Sequence, residues 1–207
     1  EPREVLEMVK KTADYHLTEL SSKKASLVED LIDLHKRVHL EKFPNRVECY
    51  DISHFQGEGT VASRVVFIEG KPEKSLYRHY HVREASGPDD FKSLREILER
   101  RFSNDHSLPD LVIIDGGKGQ LAQAELIFNE LGVVGVDLIA LAKARTTSDF
   151  QEKEIQSSFE RVFKPNQKNP ILLKAGMGAY RILTQARNES HRFAITFHRQ
   201  VRDRNRI

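Results

Sequence analysis

A strand-like run that drives straight into an aspartate and three glycines, LPDLVIIDGGKGQL at residues 108–121, constrains this 207-residue chain more than any other stretch. Its apolar centre, Leu111 to Ile114, suits a strand covered on both faces, the usual condition of parallel strands in α/β sheets. Asp115 then stands at the carboxyl end of that strand, where open α/β sheets place their ligands. Gly116, Gly117 and Gly119 permit close backbone approach and unusual dihedrals, ahead of a helix start able to hold phosphate oxygens with Lys118 beside it. Asp-Gly after a strand is also an ordinary turn. The motif is not a Walker P-loop, because Gly119 rather than Ser or Thr follows Lys118 and the preceding spacing fails.

The rest of the chain supplies a frame for that strand. Residues 3 to about 40 carry apolar positions at helical spacing without glycine or proline, which predicts one or two helices ended by Pro44. RVECYDI, TVASRVVFIEG and KSLYRHYHV are rich in β-branched and aromatic residues and are separated by the turn-like HFQGEG and EGKPEK, so they read as a three-stranded antiparallel meander. SGPDD reads as a helix N-terminus, capped by Ser86 or Asp89, ahead of FKSLREILERRF. From there the pattern alternates: strand DLVIID, a helix from about Lys118 to Leu131, strand VDLIALA, a polar segment, then a helix from about Met177 to Arg199. A meander followed by parallel units indicates an α/β fold with a mixed sheet flanked by helices. Residues 1–43 are read as a helical connecting segment and residues 44–207 as the domain proper.

Composition narrows the class. Lys and Arg total 33 against 31 Asp and Glu, a formal charge of +2, so any basic surface must be local. The single cysteine, Cys49, rules out an internal disulfide and any cysteine-based metal site, and fits a reducing cytoplasm. No apolar run approaches the ~20 residues of a membrane span. The chain opens at Glu1 directly on a helical pattern, which we read as a piece of a longer protein.

Alternation in RVECYDI puts Val47, Cys49 and Asp51 on one face and Glu48, Tyr50 and Ile52 on the other. Asp51 and Asp115 thus both sit near strand ends, and chain order allows those strands to be neighbours. Two such carboxylates would repel unless they shared a cation. Near the end of the last helix, an apolar stripe runs through Leu183, Ala186, Phe193 and Phe197, with Arg187, His191 and His198 beside it. A histidine at the edge of a buried face either makes a hydrogen bond or meets a metal. The tail beyond it carries Arg199, Arg202, Arg204 and Arg206 against Asp203, suited to a phosphate backbone or to a solvated helix end.

Six stretches, ECYDISH, GEGTVASRVVF, YRHYHV, GPDDF, LPDLVIIDGGKGQL and NESHRFAITFHR, together and in this order resemble the C-terminal endonuclease region of the UvrC family, a component of the excinuclease of bacterial nucleotide excision repair. The resemblance covers about residues 40 to 200. It implies an RNase H-like fold and a metal-dependent nuclease that cuts the damaged strand 5′ to a lesion. It also implies a catalytic triad of Asp51, Asp115 and His191, with a further acid at Asp90 or Asp89. Lys118 and Gln120 match the family's glycine-rich motif, and Arg192 and Arg199 its basic helix end. Asn188 stands where the family commonly shows an aspartate, and ILLKAGMGAYRIL lacks the usual proline-and-serine lead-in to the last helix.

Two aspartates and a histidine suit Mg²⁺ or Mn²⁺ as cofactor. The implied substrate is damaged double-stranded DNA, held through phosphates by Lys118, Gln120, Arg78, Lys143, Arg192 and Arg199. The implied partner is UvrB, the excinuclease component already bound to DNA, reached through other parts of the full-length protein. Two rivals remain at this point: a non-catalytic RNase H-like nucleic-acid-binding module whose carboxylates only cap turns, and an enzyme that takes a nucleotide on the DGGKGQ loop.

Overall fold

The computed structural model describes residues 2–55, 59–82, 90–104, 107–143 and 159–204. The centre of the HFQGEG turn, the Ser86 and Asp89 caps and the segment 144–158 lie outside the described residues. The strands are β1 (Arg46–Phe55), β2 (Gly59–Ile68), β3 (Lys71–Pro72), β4 (Arg78–His81), β5 (Leu111–Asp115), β6 (Asp137–Lys143), β7 (Phe159–Phe163) and β8 (Ile171–Lys174). The helices are α1 (Pro2–Val38), α2 (Asp90–Asn104), α3 (Lys118–Glu130) and α4 (Gly178–Arg204). All eight strands form one sheet in the order β3-β2-β1-β5-β6-β7-β8, with β4 also paired to β2. The pairs β1–β5 and β5–β6 are parallel and the others antiparallel, the mixed arrangement expected from a meander followed by crossover units.

Side-chain alternation sorts the core into two layers. Val47, Cys49, Leu111, Ile113, Ile139 and Leu141 pack with α1 and α4, whereas Tyr50, Ile52, Val112, Ile114, Leu138 and Ala140 pack with α2 and α3. The unbroken apolar run of β5 follows from this, since both of its faces are buried. The α2–α3 layer also takes in Glu48, which is fully buried. Arg101 and Arg46 lie 2.8 and 3.0 Å from its carboxylate, and Tyr50 donates to it at 2.7 Å.

Three parts depart from the sequence reading. The third meander strand is shorter than KSLYRHYHV, because Lys74–Leu76 form a 3₁₀ turn before β4 begins. The segment between β6 and α4, read only as polar, contributes β7, antiparallel to β6, and β8, antiparallel to β7. They escaped the reading because β7, FERVF, turns the charged Glu160 inward and β8 spans only Ile171–Lys174. The N-terminal segment is one continuous helix, and Leu31, Leu34 and Val38 of α1, with Leu40 beyond it, are buried in the same cluster as Val47 and Ile182. The folded core therefore extends back into α1, past the boundary read at residue 43.

The junction of α1 with α4 is close and specific. The backbone N–H groups of Gly178 and Ala179 at the start of α4 donate to Asp33, the latter at 3.0 Å, so a side chain from another helix caps α4. Asp30 pairs with Arg181 one turn along. A Cβ at Gly178 would stand 2.7 Å from the Asp30 Cα, a backbone contact that no side-chain rotation relieves. Gly178→Ala is accordingly expected to destabilise the protein by roughly 1–3 kcal/mol, as overpacking does, read as a lower Tm in thermal melts; an unchanged Tm would show that the two helices part freely.

Candidate metal centre

The site begins with strand register. Tyr50 of β1 is level with Ile114 of β5, so the next residues, Asp51 and Asp115, emerge side by side at the ends of two parallel neighbours. Asp51 is also level with Ser63 of β2, which anchors it away from the sheet edge. Above them α4 brings His191, whose Nδ1 lies 3.2 Å from the Asp51 carboxylate. Donor atoms of Asp51, Asp115 and His191 all lie within 4.8 Å of one another, the one such His, Cys, Asp or Glu grouping among the described residues. Asp51 is buried, Asp115 is half-buried and the His191 side chain is 64 % exposed, so the cluster opens to solvent on the histidine side. Two carboxylate oxygens and an imidazole nitrogen at this separation fit a divalent cation.

Several residues absent from the sequence reading hold α4 in place. Ser63 donates to the Ser190 carbonyl at 3.0 Å, beside His191, and both serines are fully buried. The His79 ring stacks on Phe193 at 3.7 Å between centroids, and its Nε2 lies 3.1 Å from the Phe193 carbonyl. Tyr77 donates to Glu189 at 3.1 Å. Residues 189, 190 and 193 are thus tied to β2, β4 and the turn before β4, which leaves His191 little freedom of position. A serine or histidine within an amphipathic strand gives no sequence signal of such a role.

The electrostatics separate the carboxylates of Glu48 and Asp115. Burial would raise the Glu48 carboxyl, but the hydrogen bond and charge of Arg101, with Arg64 behind it, hold it below the usual carboxylate range. Burial pushes Asp115 up to about 6, the charge of Asp51 pushes the same way, and Arg187 and His191 offset only part of this. Glu48 is a neutralised structural charge. Asp115 keeps an unmet demand for positive charge, as a metal ligand does before its cation arrives.

The remaining sequence candidates are placed unevenly. Gln120 does not reach outward: its Oε1 accepts from the Gly117 N–H at 3.0 Å, and its side chain lies over Gly116, where a Cβ would come within 3.0 Å. This is the close approach expected of the loop, while none of Gly116, Gly117 and Gly119 adopts left-handed backbone. Lys118 donates to the Lys168 carbonyl at 2.7 Å. Arg78 is exposed and donates to the Ser75 and Tyr77 carbonyls, while Arg192 forms a two-pronged pair with Glu189 at 2.7 Å. Asp90 opens α2, Lys143 ends β6 and Arg199 lies within α4, but their side chains, with those of Phe197 and His198, are outside the described residues.

Comparison with known proteins gives this geometry a family. The profile of the UvrC RNAse H endonuclease domain matches residues 35–195. The chain belongs to that family. Among curated relatives of this UvrC domain, the UvrABC system protein C of Bdellovibrio bacteriovorus is 45 % identical over 202 residues, covering 97 % of this chain and 32 % of the relative. That of Geobacter sp. strain M21 is 44 % identical over 204 residues, covering 96 % and 31 %. The chain thus spans about a third of the length of these UvrC relatives. Among solved structures, human endonuclease V superposes with a TM-score of 0.44 at 13 % identity, covering 88 % of this chain and 99 % of that one. The family description names the RNase H fold expected from the sequence, and the mixed sheet flanked by helices agrees with it. Among the described residues of this UvrC domain, no helix is long and apolar enough to cross a membrane.

The Asp115 shift carries a pH signature. Between the ordinary value of 3.8 and about 6 the folded protein holds a proton that the unfolded chain has released. Metal-free stability therefore falls as pH rises through that window. Asp115→Asn is expected to flatten this fall and to raise the metal-free Tm at pH 8. Thermal melts from pH 3.5 to 8 that keep the wild-type profile in Asp115→Asn would assign the titration to another group.

Proposed function

We propose that this chain is the divalent-metal-dependent endonuclease domain of a nucleotide excision repair protein, hydrolysing a phosphodiester of damaged double-stranded DNA on the 5′ side of the lesion, in the cytoplasm. The observation that carries this reading is the convergence of Asp51, Asp115 and His191 from three elements far apart in sequence. The names of the curated relatives, UvrABC system protein C, support it.

Asp51, Asp115 and His191 would hold Mg²⁺ or Mn²⁺, the aspartates as hard oxygen donors and the histidine extending the preference towards Mn²⁺. Such a cation supplies Lewis acidity for phosphodiester hydrolysis and lowers the pKa of an attacking water. The chain's own residues supply position and environment. Asp51 and Asp115 are fixed at the ends of two buried strands, on an apolar floor made by Cys49, Ile113 and Leu141. His191, on the solvent side, would meet incoming DNA first. Asp90, or Asp89 beside it, is assigned as a further acid for a second ion or for proton transfer.

Duplex DNA would be held through its phosphates by Lys118, Arg78, Lys143, Arg192 and Arg199, with Gln120 shaping the loop that carries Lys118. Arg78 and Arg192 are exposed, Arg78 donating to the Tyr77 carbonyl and Arg192 to Glu189. Lesion choice belongs to the partners. We assign contact with DNA-bound UvrB, the partner in the excinuclease, to parts of the full-length protein outside these residues.

Asp51→Ala and Asp115→Ala are each expected to lower 5′ incision by the full-length protein more than ~100-fold, above what loss of an outer-shell partner costs a metal site, with an unchanged circular dichroism spectrum. Incision at a near wild-type rate by either variant would remove the carboxylates from the chemistry. Mn²⁺ is expected to raise the Tm of the wild-type chain by linkage and to do so far less in either variant. A wild-type Tm indifferent to Mn²⁺ would favour a binding module whose carboxylates only cap turns.

A further inference from the structure

Beside the metal centre lies a buried ion pair that neither the triad nor the DNA contacts use. Glu160 of β7 accepts two hydrogen bonds from the Arg187 guanidinium of α4, Nη2 to Oε1 at 2.6 Å and Nη1 to Oε2. Both residues are nearly inaccessible, at 3 % and 7 % exposure. Asp115 is level with Leu141, and Leu141 with Val162, so Glu160, two residues before Val162, leaves the sheet on the face that carries Asp115. Arg187 sits one helical turn before His191 on the same side of α4.

An ion pair in such a place needs a reason. Desolvating two charges offsets much of their attraction, and buried pairs are often replaceable by apolar residues without loss of stability. Here the pair has a third party. Glu160 shares the Asp115 face of the sheet and Arg187 lies one turn from His191, so Asp115 lies within electrostatic range of both charges. Two carboxylates brought together on an apolar floor repel, and Arg187 is a fixed cation set beside them. The two-pronged bond to Glu160 suits arginine rather than lysine, because it fixes where that charge sits.

We propose that Arg187, anchored by Glu160, is a positioning residue of the metal centre, a permanent positive charge that lets Asp51 and Asp115 converge before any cation binds. The proposal rests on the reading of Asp51, Asp115 and His191 as metal ligands. Arg187 itself touches neither metal nor DNA. Its work is done in the metal-free protein, where it offsets the repulsion between two carboxylates that strand pairing holds together.

The test is a double-mutant cycle in chelator at pH 8, where Asp115 is ionised. Glu160→Gln with Arg187→Gln removes both charges together and leaves no unpaired buried charge. The Tm loss caused by this neutral pair is expected to shrink by at least half when Asp115→Asn is also present, because the repulsion it exposes is then gone. Mn²⁺ is also expected to raise the Tm of the neutral pair more than that of wild type. Equal Tm losses in the two backgrounds, with the wild-type Mn²⁺ response intact, would falsify the assignment and leave Glu160 and Arg187 as a clamp between β7 and α4. If the neutral pair folds in neither background, Arg187→Lys decides, since it keeps the charge. A Mn²⁺ response near wild type in that variant supports the proposal, and loss of the response overturns it. If Mn²⁺ stabilises no form of the protein, wild type included, the metal-centre reading fails and this assignment fails with it.

Discussion

The parallel pairing of β1 with β5 sets two carboxylates side by side at the carboxyl ends of buried strands, and the rest of the site answers the repulsion between them. The pairing is held by apolar side chains on both faces of the sheet, so the strands cannot ease apart without opening both core layers. The charges are therefore trapped in proximity. His191 approaches from solvent, Arg187 from the buried side, and Asp115 still sits well above the ordinary aspartate value. A short distance away Glu48 has arginines at hydrogen-bonding distance and no such demand. The sheet thus carries on β1 a carboxylate that stabilises the fold and, at the end of the neighbouring β5, one that the fold leaves waiting for a cation.

Helix α4 depends on contacts from both ends. Its start is capped by Asp33 and paired to Asp30 of α1, and its middle is pinned by Ser63, Tyr77 and His79 of the meander side. His191 and Arg187, one turn apart on the same side of α4, are delivered to the carboxylate pair only if both sets of contacts hold. This gives the long N-terminal helix a structural role in the site. Its last turns are a wall of the core and the seat of the helix that carries the site.

Much of this was legible in sequence wherever local patterning and burial agree. The alternation in RVECYDI assigned Val47 and Cys49 to one layer and Tyr50 and Ile52 to the other, and the structure has them there. The apolar run before Asp115 marked a strand covered on both faces. Of the two reasons read for the glycine loop, close approach is seen where Gln120 lies against Gly116, while the unusual dihedrals are not left-handed ones. The strands β7 and β8 were missed because their alternation is broken by function and by edge position: Glu160 points a charge inward to meet Arg187, and β8 lies at the sheet's end. A pattern that departs from hydrophobic periodicity to serve a site is the kind that periodicity alone passes over.

What the sequence by itself determined is the set of elements with strong periodicity, the family, and the residue types available for chemistry. Each follows from information local to a stretch or from the joint presence of several stretches. Only the tertiary structure decided the distances between Asp51, Asp115 and His191, the seating of α4 on Asp33, and the pairing of Glu160 with Arg187 across 27 positions of chain. Those depend on strand order, register and helix approach, which are set by long-range packing. Whether a buried charge is repelled, matched or left waiting for a cation follows from what packing brings beside it.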